Sequence, residues 1–380
     1  MSERLIARSR ELVPASASRR HRLTSPATCA TCAAYAALVL GASALDATQA
    51  GAQWVPLTSG TTASLRGLSV VDGRTAWASG TKGTVIHTSD GGTTWKVDTV
   101  PGAATFDLRS VHAQSARVAH VAATAGRIWR TTDGGKSWSL RYQARDTSVF
   151  LDAIAFWDDA NGIALGDPID GRFFLLVTRD GGETWREPAF DERPIAEPGE
   201  AAFAASGSSL LALGSPDSLV AVIGSGGSVA RLHRSANRLR QWVAYDTPIR
   251  DGEASAGIFS VAQIPGEGMM VVGGHYAQDD STRSNAAVTL SGPQWRLIDA
   301  NPPRGYRSGV AFVQLPGGPR IGVAVGPAGS DISLNGGMQW GAFDSVGYHA
   351  VRASRDGIFY ASGSGGRVGR FDVRSRQAPR

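Results

Sequence analysis

Cysteine is almost missing from this 380-residue chain: Cys29 and Cys32 are the only two, and both lie in its first 52 residues. Their C-x-x-C spacing has no second pair to complete a four-cysteine metal site, and it falls in what reads as a leader. Neither disulfide nor thiol chemistry is therefore expected of the mature domain. Lysine is scarce as well, Lys82, Lys96 and Lys136 being the three present. An excess of one charge is also lacking. The formal net charge is +5, and the first 52 residues supply +3 of it, six Arg standing against Glu3, Glu11 and Asp46, which leaves about +2 for the rest. So small an excess does not point to nucleic acid. No G-x-G-x-x-G joins a strand to a helix; the nearest cluster, Gly224, Gly226 and Gly227, lies between short apolar runs and reads as a β-hairpin, so no cofactor is expected. His87, His112, His120, His233, His275 and His349 are scattered, a pattern that suits strand and loop roles better than a metal site. The apolar run 33–44 falls short of the roughly 20 residues that span a bilayer. Preceded by Arg19, Arg20 and Arg22 and followed by the small residues 50–52, it reads as an export signal covering 1–52, cleaved near Gln53, with a retained N-terminal membrane anchor as the competing reading. The product is expected in the periplasm or secreted.

What the chain has in abundance is glycine, 47 residues, with 18 prolines and a hydrophobic content of 42%, a composition suited to a large all-β domain. Glycine recurs in a pattern. The string T-S-D-G-G-T-T-W at 88–95 returns as T-T-D-G-G-K-S-W at 131–138, as T-R-D-G-G-E-T-W at 178–185 and, with Asn for Asp, as S-L-N-G-G-M-Q-W at 333–340. Asp-Gly and Asn-Gly favour tight turns, because glycine tolerates positive φ and the Asx side chain bonds backbone N–H groups nearby. Asp90, Asp133, Asp180 and Asn335 are thus turn residues, and Trp95, Trp138, Trp185 and Trp340 head the next strand as apolar lids. The pattern resembles the Asp-box, or BNR repeat, of β-propeller blades, a structural device remote from active sites.

Tryptophan spacing sets the expected architecture. Trp54, Trp95, Trp138, Trp185, Trp242, Trp295 and Trp340 lie 41, 43, 47, 57, 53 and 45 residues apart. That range suits propeller blades of four short strands, and seven such positions imply seven blades over 53–373. The C-terminal end supplies three strands only, so the mature N-terminus around Trp54 is expected to add the fourth, closing the ring and hiding two sheet edges. Residues 374–380 read as a flexible basic tail.

Aligning the inner strands on Leu68, Val111, Ile154, Phe203, Ile258, Val310 and Val351 places Arg66, Arg109, Asp152, Glu200, Arg307 and His349 at one mouth of the central channel. Loops on that face bring Asp170 and Arg172 from blade three and His275 and Tyr276 from blade five. Charges near a narrow channel lose hydration unless paired, so this ring exists for mutual pairing, Arg66, Arg109 and Arg307 with Asp152, Glu200 and Asp170, or for an anionic group or acidic peptide. The loops 191–199 and 273–286 exceed what blade closure needs and are placed for recognition.

Over 53–373 the chain resembles the photosystem II stability/assembly factor-like family of exported propellers. The three Asp-box copies carry the resemblance, together with G-D-P-I-D-G-R-F at 166–173, S-A-G-I-F-S at 255–260 and G-Y-R-S at 305–308. It implies a non-enzymatic scaffold, monomeric, whose partner is a protein or acidic small ligand, with no nucleic acid and with peripheral contact to a membrane complex. The Asp-box is shared with sialidases, which makes a glycoside hydrolase the alternative: Arg66, Arg109 and Arg307 as a carboxylate-binding trio, with Glu200, Asp152 and Tyr306 as catalytic groups. Against it, the segment where sialidases carry R-I-P reads Leu65-Arg66-Gly67-Leu68.

Overall fold

The structure, a computed structural model, describes residues 53–289 and 294–376. The expected signal segment, its two cysteines and residues 377–380 lie outside these. Short apolar strands separated by Gly and Asp turns pair antiparallel into seven sheets, and inner strands of successive sheets touch in a closed cycle. Blade one comprises Leu65–Val70, Ala76–Gly80, Thr84–Thr88 and Lys96–Thr99; blade two comprises Leu108–Ala113, Ala119–Ala123, Arg127–Thr131 and Ser139–Gln143. Blade three has Leu151–Phe156, Gly162–Ile169 and Arg172–Thr178, its outer strand shrunk to a bridge between Val177 and Arg186. Blade four has Leu210–Leu213, Val220–Gly224, Arg231–Ala236 and Gln241–Asp246. Blade five has Glu253–Gln263, Met269–His275, Ala286–Thr289 and Arg296–Leu297, and blade six Gly309–Gln314, Arg320–Gly326, Gly329–Ser333 and Gly341–Asp344. Blade seven joins Ala350–Ala353, Ile358–Ser362 and Val368–Asp372 to Val55–Leu57, with Val55 opposite Arg370 and Leu57 opposite Val368. This seven-bladed β-propeller is the all-β fold the repeat implies.

The Asp-box acts through local bonds. In the first copy Thr88 Oγ1 donates to Asp90 Oδ1 at 2.8 Å and accepts from the Gly92 amide at 3.0 Å, while Thr94 donates its amide and hydroxyl to the same carboxylate. The hydroxyl of Thr94, its amide and Thr88 together hold the Asp90 carboxyl down at about 2. Thr131/Asp133/Ser137 and Thr178/Asp180/Thr184 repeat the set, and Ser333/Asn335/Gln339 keeps its backbone part. Gly91 and Gly92 sit at φ of 82° and 86°, where a side chain would be strained. The core is divided among the blade interfaces, one apolar cluster filling each: Trp77 and Trp129 lie between blades one and two, Phe156 and Phe174 between two and three, and Trp54, Phe343 and Phe371 between six and seven. Packing one twisted sheet on the next closes the ring without exposed faces.

One expectation is corrected. The inner strand of blade four is Leu210–Leu213, not a strand around Phe203, because the run Leu210-Leu211-Ala212-Leu213 is what pairs with Val220–Gly224. The glycine cluster does lie in a hairpin, Val220–Gly224 against Arg231–Ala236, and its connection is itself paired, Gly226 and Gly227 with Glu200–Ala201 and with Glu253 and Gly257, bridging blade four to the edge of blade five's sheet. At the start of the expected tail, Arg374 is ion-paired to Asp372 at 2.8 Å in a 3-10 turn, Val373–Arg376.

Candidate functional site: the mouth of the channel

The same irregularity recurs in four inner strands. Register slips by one residue between Leu65 and Gly67, Leu108 and Ser110, Leu151 and Ala153, and Ile258 and Ser260. The residues left over at these β-bulges are Arg66, Arg109, Asp152 and Phe259. A bulge breaks the strict alternation of a strand and re-aims one side chain. Here it points two arginines, an aspartate and a phenylalanine at the channel mouth, while neighbours such as Leu65, Leu108 and Leu151 stay buried between blades.

Residues 203–209, beginning at the Phe203 on which the sequence aligns blade four's inner strand, instead cross the channel. Ser206 Oγ donates to the Ser308 carbonyl in blade six at 2.6 Å, Ser208 Oγ donates to Ser260 in blade five at 2.8 Å, and Arg352 in blade seven donates to the Gly207 carbonyl at 3.0 Å. Gly207, at φ 63°, lies so close to Ser110 of blade two that a Cβ would stand 2.6 Å from the serine oxygen. A segment from blade four that reaches blades two, five, six and seven must span the axis. It plugs the channel, so the mouth is a bowl with a floor. The short, small string A-A-S-G-S-S at 204–209 is what allows the crossing.

Arg66 faces this floor. It donates one long bond, 3.5 Å, to the Ala205 carbonyl, and among the described residues it pairs with no carboxylate. Burial first, then the neighbouring Arg109 guanidinium, weakens its hold on its proton. Arg109 is held by Asp107 at 3.1 Å with both side chains partly exposed. His349 completes the basic side: its Nε2 lies 3.2 Å from Ser64 Oγ and 2.8 Å from Ser364 Oγ, and burial, Arg66 and Arg109 push it down to about 4, so it is neutral at ordinary pH. Across from these cations stands an aromatic shelf. Phe203 stacks on Phe259 at 3.9 Å, Tyr306 meets Phe259 edge-on at 4.7 Å, and Tyr276 meets it at 6.1 Å with 53% of its surface exposed.

Asp152 is 1% exposed and its Oδ2 has no hydrogen-bond partner. Burial, then the Asp167 carboxylate, raises its pKa well above the usual range against the pull of Arg109. A raised folded pKa means the unfolded chain releases this proton first, so Asp152 lowers stability as pH rises above about 3.9. Asp152→Asn is accordingly expected to raise Tm by about 2–4 °C at pH 7 and to leave it unchanged below about pH 4. Thermal unfolding at the two pH values checks this; equal shifts at both would remove the assignment.

The remaining expected site residues do not join the bowl. Glu200 is locked: Arg231 donates to it at 2.5 and 3.2 Å, Ser225 at 2.5 Å, and His233 Nε2 lies 2.7 Å away. Burial works against its charge, but these bonds prevail and hold it at about 2. Arg307 is wholly buried and spent on Asp331 at 2.5 and 2.8 Å. The expected pairing of Arg66, Arg109 and Arg307 with Asp152, Glu200 and Asp170 is therefore corrected, as is the arginine trio. Asp170 lies in the turn before Arg172, and Arg172 donates to the Arg193 carbonyl at 2.5 Å with its guanidinium over Phe190, on the rim between blades two and three. His275 accepts the Ala277 amide at Nδ1, which places its proton on Nε2, facing Ser255 at 2.7 Å and Glu253 at 3.0 Å. No group of three potential metal ligands occurs among the described residues.

The profile of the family described as Photosynthesis system II assembly factor YCF48 matches residues 44–145, the stretch that contains blades one and two with Arg66 and Arg109. The resemblance read from the Asp-boxes is thus to this family. Solved structures share the fold over most of both chains. A structure described as YCF48 bound to D1 peptide is 17% identical, covering 84% of this chain and 95% of its own, with a TM-score of 0.56. YCF48 from Cyanidioschyzon merolae is 18% identical over 85% of this chain and 100% of its own, with a TM-score of 0.59. A streptogramin B lyase, 10% identical over 84% and 96%, has a TM-score of 0.60, so likeness of fold spans proteins of different activity. No curated protein matches the sequence significantly.

Proposed function

We propose that this chain, whose first two blades match the YCF48 assembly-factor profile, is a non-enzymatic assembly or stability factor that holds an acidic segment of a partner protein in its plugged bowl. The observation that carries the reading is Arg66: a guanidinium aimed by a bulge at an open mouth, beside Arg109, with no carboxylate of its own. A peptide carboxylate between the two arginines would relieve their repulsion and accept bidentate bonds, and the Phe203/Phe259/Tyr276/Tyr306 shelf would pack its apolar part. One similar structure is described as binding a D1 peptide, which supports a peptide as the occupant. Export through the leader, and contact with a membrane complex from the exported side, belong to the same proposal. Nothing in the bowl favours the hydrolase alternative, since Glu200 and Arg307 are engaged elsewhere.

The test is affinity recovery from membranes of the source organism, followed by anisotropy with synthetic acidic peptides taken from the recovered partner. Removing two charge-assisted contacts in Arg66→Ala/Arg109→Ala is expected to weaken binding about 100-fold, and added salt to weaken the wild type. Equal affinity of variant and wild type would overturn the proposal.

A further inference from the structure

Below the plug the channel reopens as a blind cavity of about 340 Å³ facing the opposite side of the propeller. Its wall is mixed: Val70, Ile154, Phe156, Leu211 and Phe312 supply the apolar part, Ser69, Ser208 and Gln263 are polar, and among the described residues the ionisable ones lining it are Arg352 and His112. Arg352 donates to the Gly207 carbonyl at 3.0 Å and to its own neighbour's carbonyl, Val351, at 3.4 Å. Among the described residues no carboxylate pairs with it. Burial alone pulls it down to about 10, with no acidic group opposing. His112 stacks beside Phe156 at 5.1 Å and, being pushed down to about 4 first by burial and then by Arg352, is neutral and brings no counter-charge.

We propose that this cavity is a second ligand site, one that takes a small organic monocarboxylate, with its carboxylate on Arg352 and its apolar body against the Phe156 and Phe312 walls. A charge set inside a channel loses hydration unless it is paired; the fully buried Arg307 is supplied with Asp331, whereas the half-buried Arg352 is left facing the cavity. Holding the Gly207 carbonyl does not require a charge; a neutral amide would donate that bond equally well. The unbonded N–H groups of Arg352 fit a bidentate acceptor, and one guanidinium in a cavity that also holds Phe156 and Phe312 matches one anionic head on an apolar body. The volume lies in the range of small-ligand pockets. The plug separates this site from the bowl above, so the inference does not depend on what the bowl binds.

Titration calorimetry of the full chain with hexanoate, and with hexanamide as its uncharged counterpart, tests the proposal. Hexanoate is expected to bind one to one, at least tenfold tighter than hexanamide and at least tenfold tighter than to Arg352→Gln. Arg66→Ala/Arg109→Ala should bind hexanoate as the wild type does, whereas it loses the peptide. Should Arg352→Gln fail to fold, Ala155→Leu, which fills the cavity and leaves the charge in place, is expected to abolish hexanoate binding. Hexanoate binding that survives Arg352→Gln or Ala155→Leu, that vanishes in the bowl variant, or that is absent from the wild type would overturn the assignment.

Discussion

Truncating Trp54 to alanine is expected to lower the stability of the whole ring by about 3–5 kcal/mol, the cost of removing a large buried aromatic. Trp54 is 5% exposed and stands where the two ends of the described chain meet. Its Nε1 donates to Ser330 Oγ at 3.0 Å and its amide to Asp344 Oδ2 at 3.2 Å, both in blade six, while the strand that follows it, Val55–Leu57, is hydrogen-bonded into blade seven. Phe343 and Tyr348 each lie 5.4 Å from its ring, and Phe371 lies 6.3 Å away. One side chain thus joins the closing strand to two blades, and its loss leaves a void where the ring is sealed. Urea unfolding would show a lower midpoint at an unchanged slope, and Val55→Ala, at a side chain 58% exposed, should shift it by less than about 0.5 kcal/mol. A loss below about 1 kcal/mol for Trp54→Ala would mean that closure at this strand does not hold the propeller together.

Breaking the Arg307–Asp331 pair should cost about as much. Both side chains are fully buried; Arg307 Nε and Nη2 donate to Asp331 Oδ2 at 2.8 and 2.5 Å, and Nη1 donates to the Tyr306 carbonyl at 2.9 Å. Asp331 also accepts the Arg304 amide at 3.0 Å and its Nε at 2.9 Å, so one carboxylate pins the 304–307 segment on which Tyr306 of the aromatic shelf sits. Burial draws the Arg307 pKa down and Asp331 draws it back, which is the signature of a charge tolerated through its partner. Arg307→Met or Asp331→Asn alone leaves the other charge buried, at a cost of about 3–5 kcal/mol. The double variant should lose clearly less than the sum of the two, because neither charge is then stranded. Additive losses in denaturant unfolding would show that the pair does not act as a unit.

Much of the fold was legible along the chain because its signals are local. The Asp-box turns rest on bonds between residues two to four apart, as from Thr88 to Asp90 and Gly92, and their period counts the blades. Each of the seven spaced tryptophans stands at the head of, or within, the outermost strand or bridge of a blade, including Trp242 and Trp295, whose turn consensus has decayed. The inner strand of blade four is not legible in the sequence because Phe203 is as apolar as Leu210, and only packing separates them: Leu210 enters the core between blades, while Phe203 stacks over the channel on Phe259.

The site divides in the same way. That Arg66, Arg109 and Asp152 belong near the channel could be read from their place just before aligned apolar strands. Which of the aligned charges would remain free could not. The partners that settle it are remote in sequence: Asp331 for Arg307, Arg231 and His233 for Glu200, and a plug from blade four beneath Arg66. Local hydrogen bonding and side-chain periodicity are properties of short stretches, so the sequence by itself determined a seven-bladed ring of turns and strands. The exposure and pairing of a charge depend on which distant backbone and carboxylate arrive beside it, so the tertiary structure alone decided that the channel is floored, that Arg66 at its mouth pairs with no carboxylate among the described residues, and that Arg352 lies below the floor.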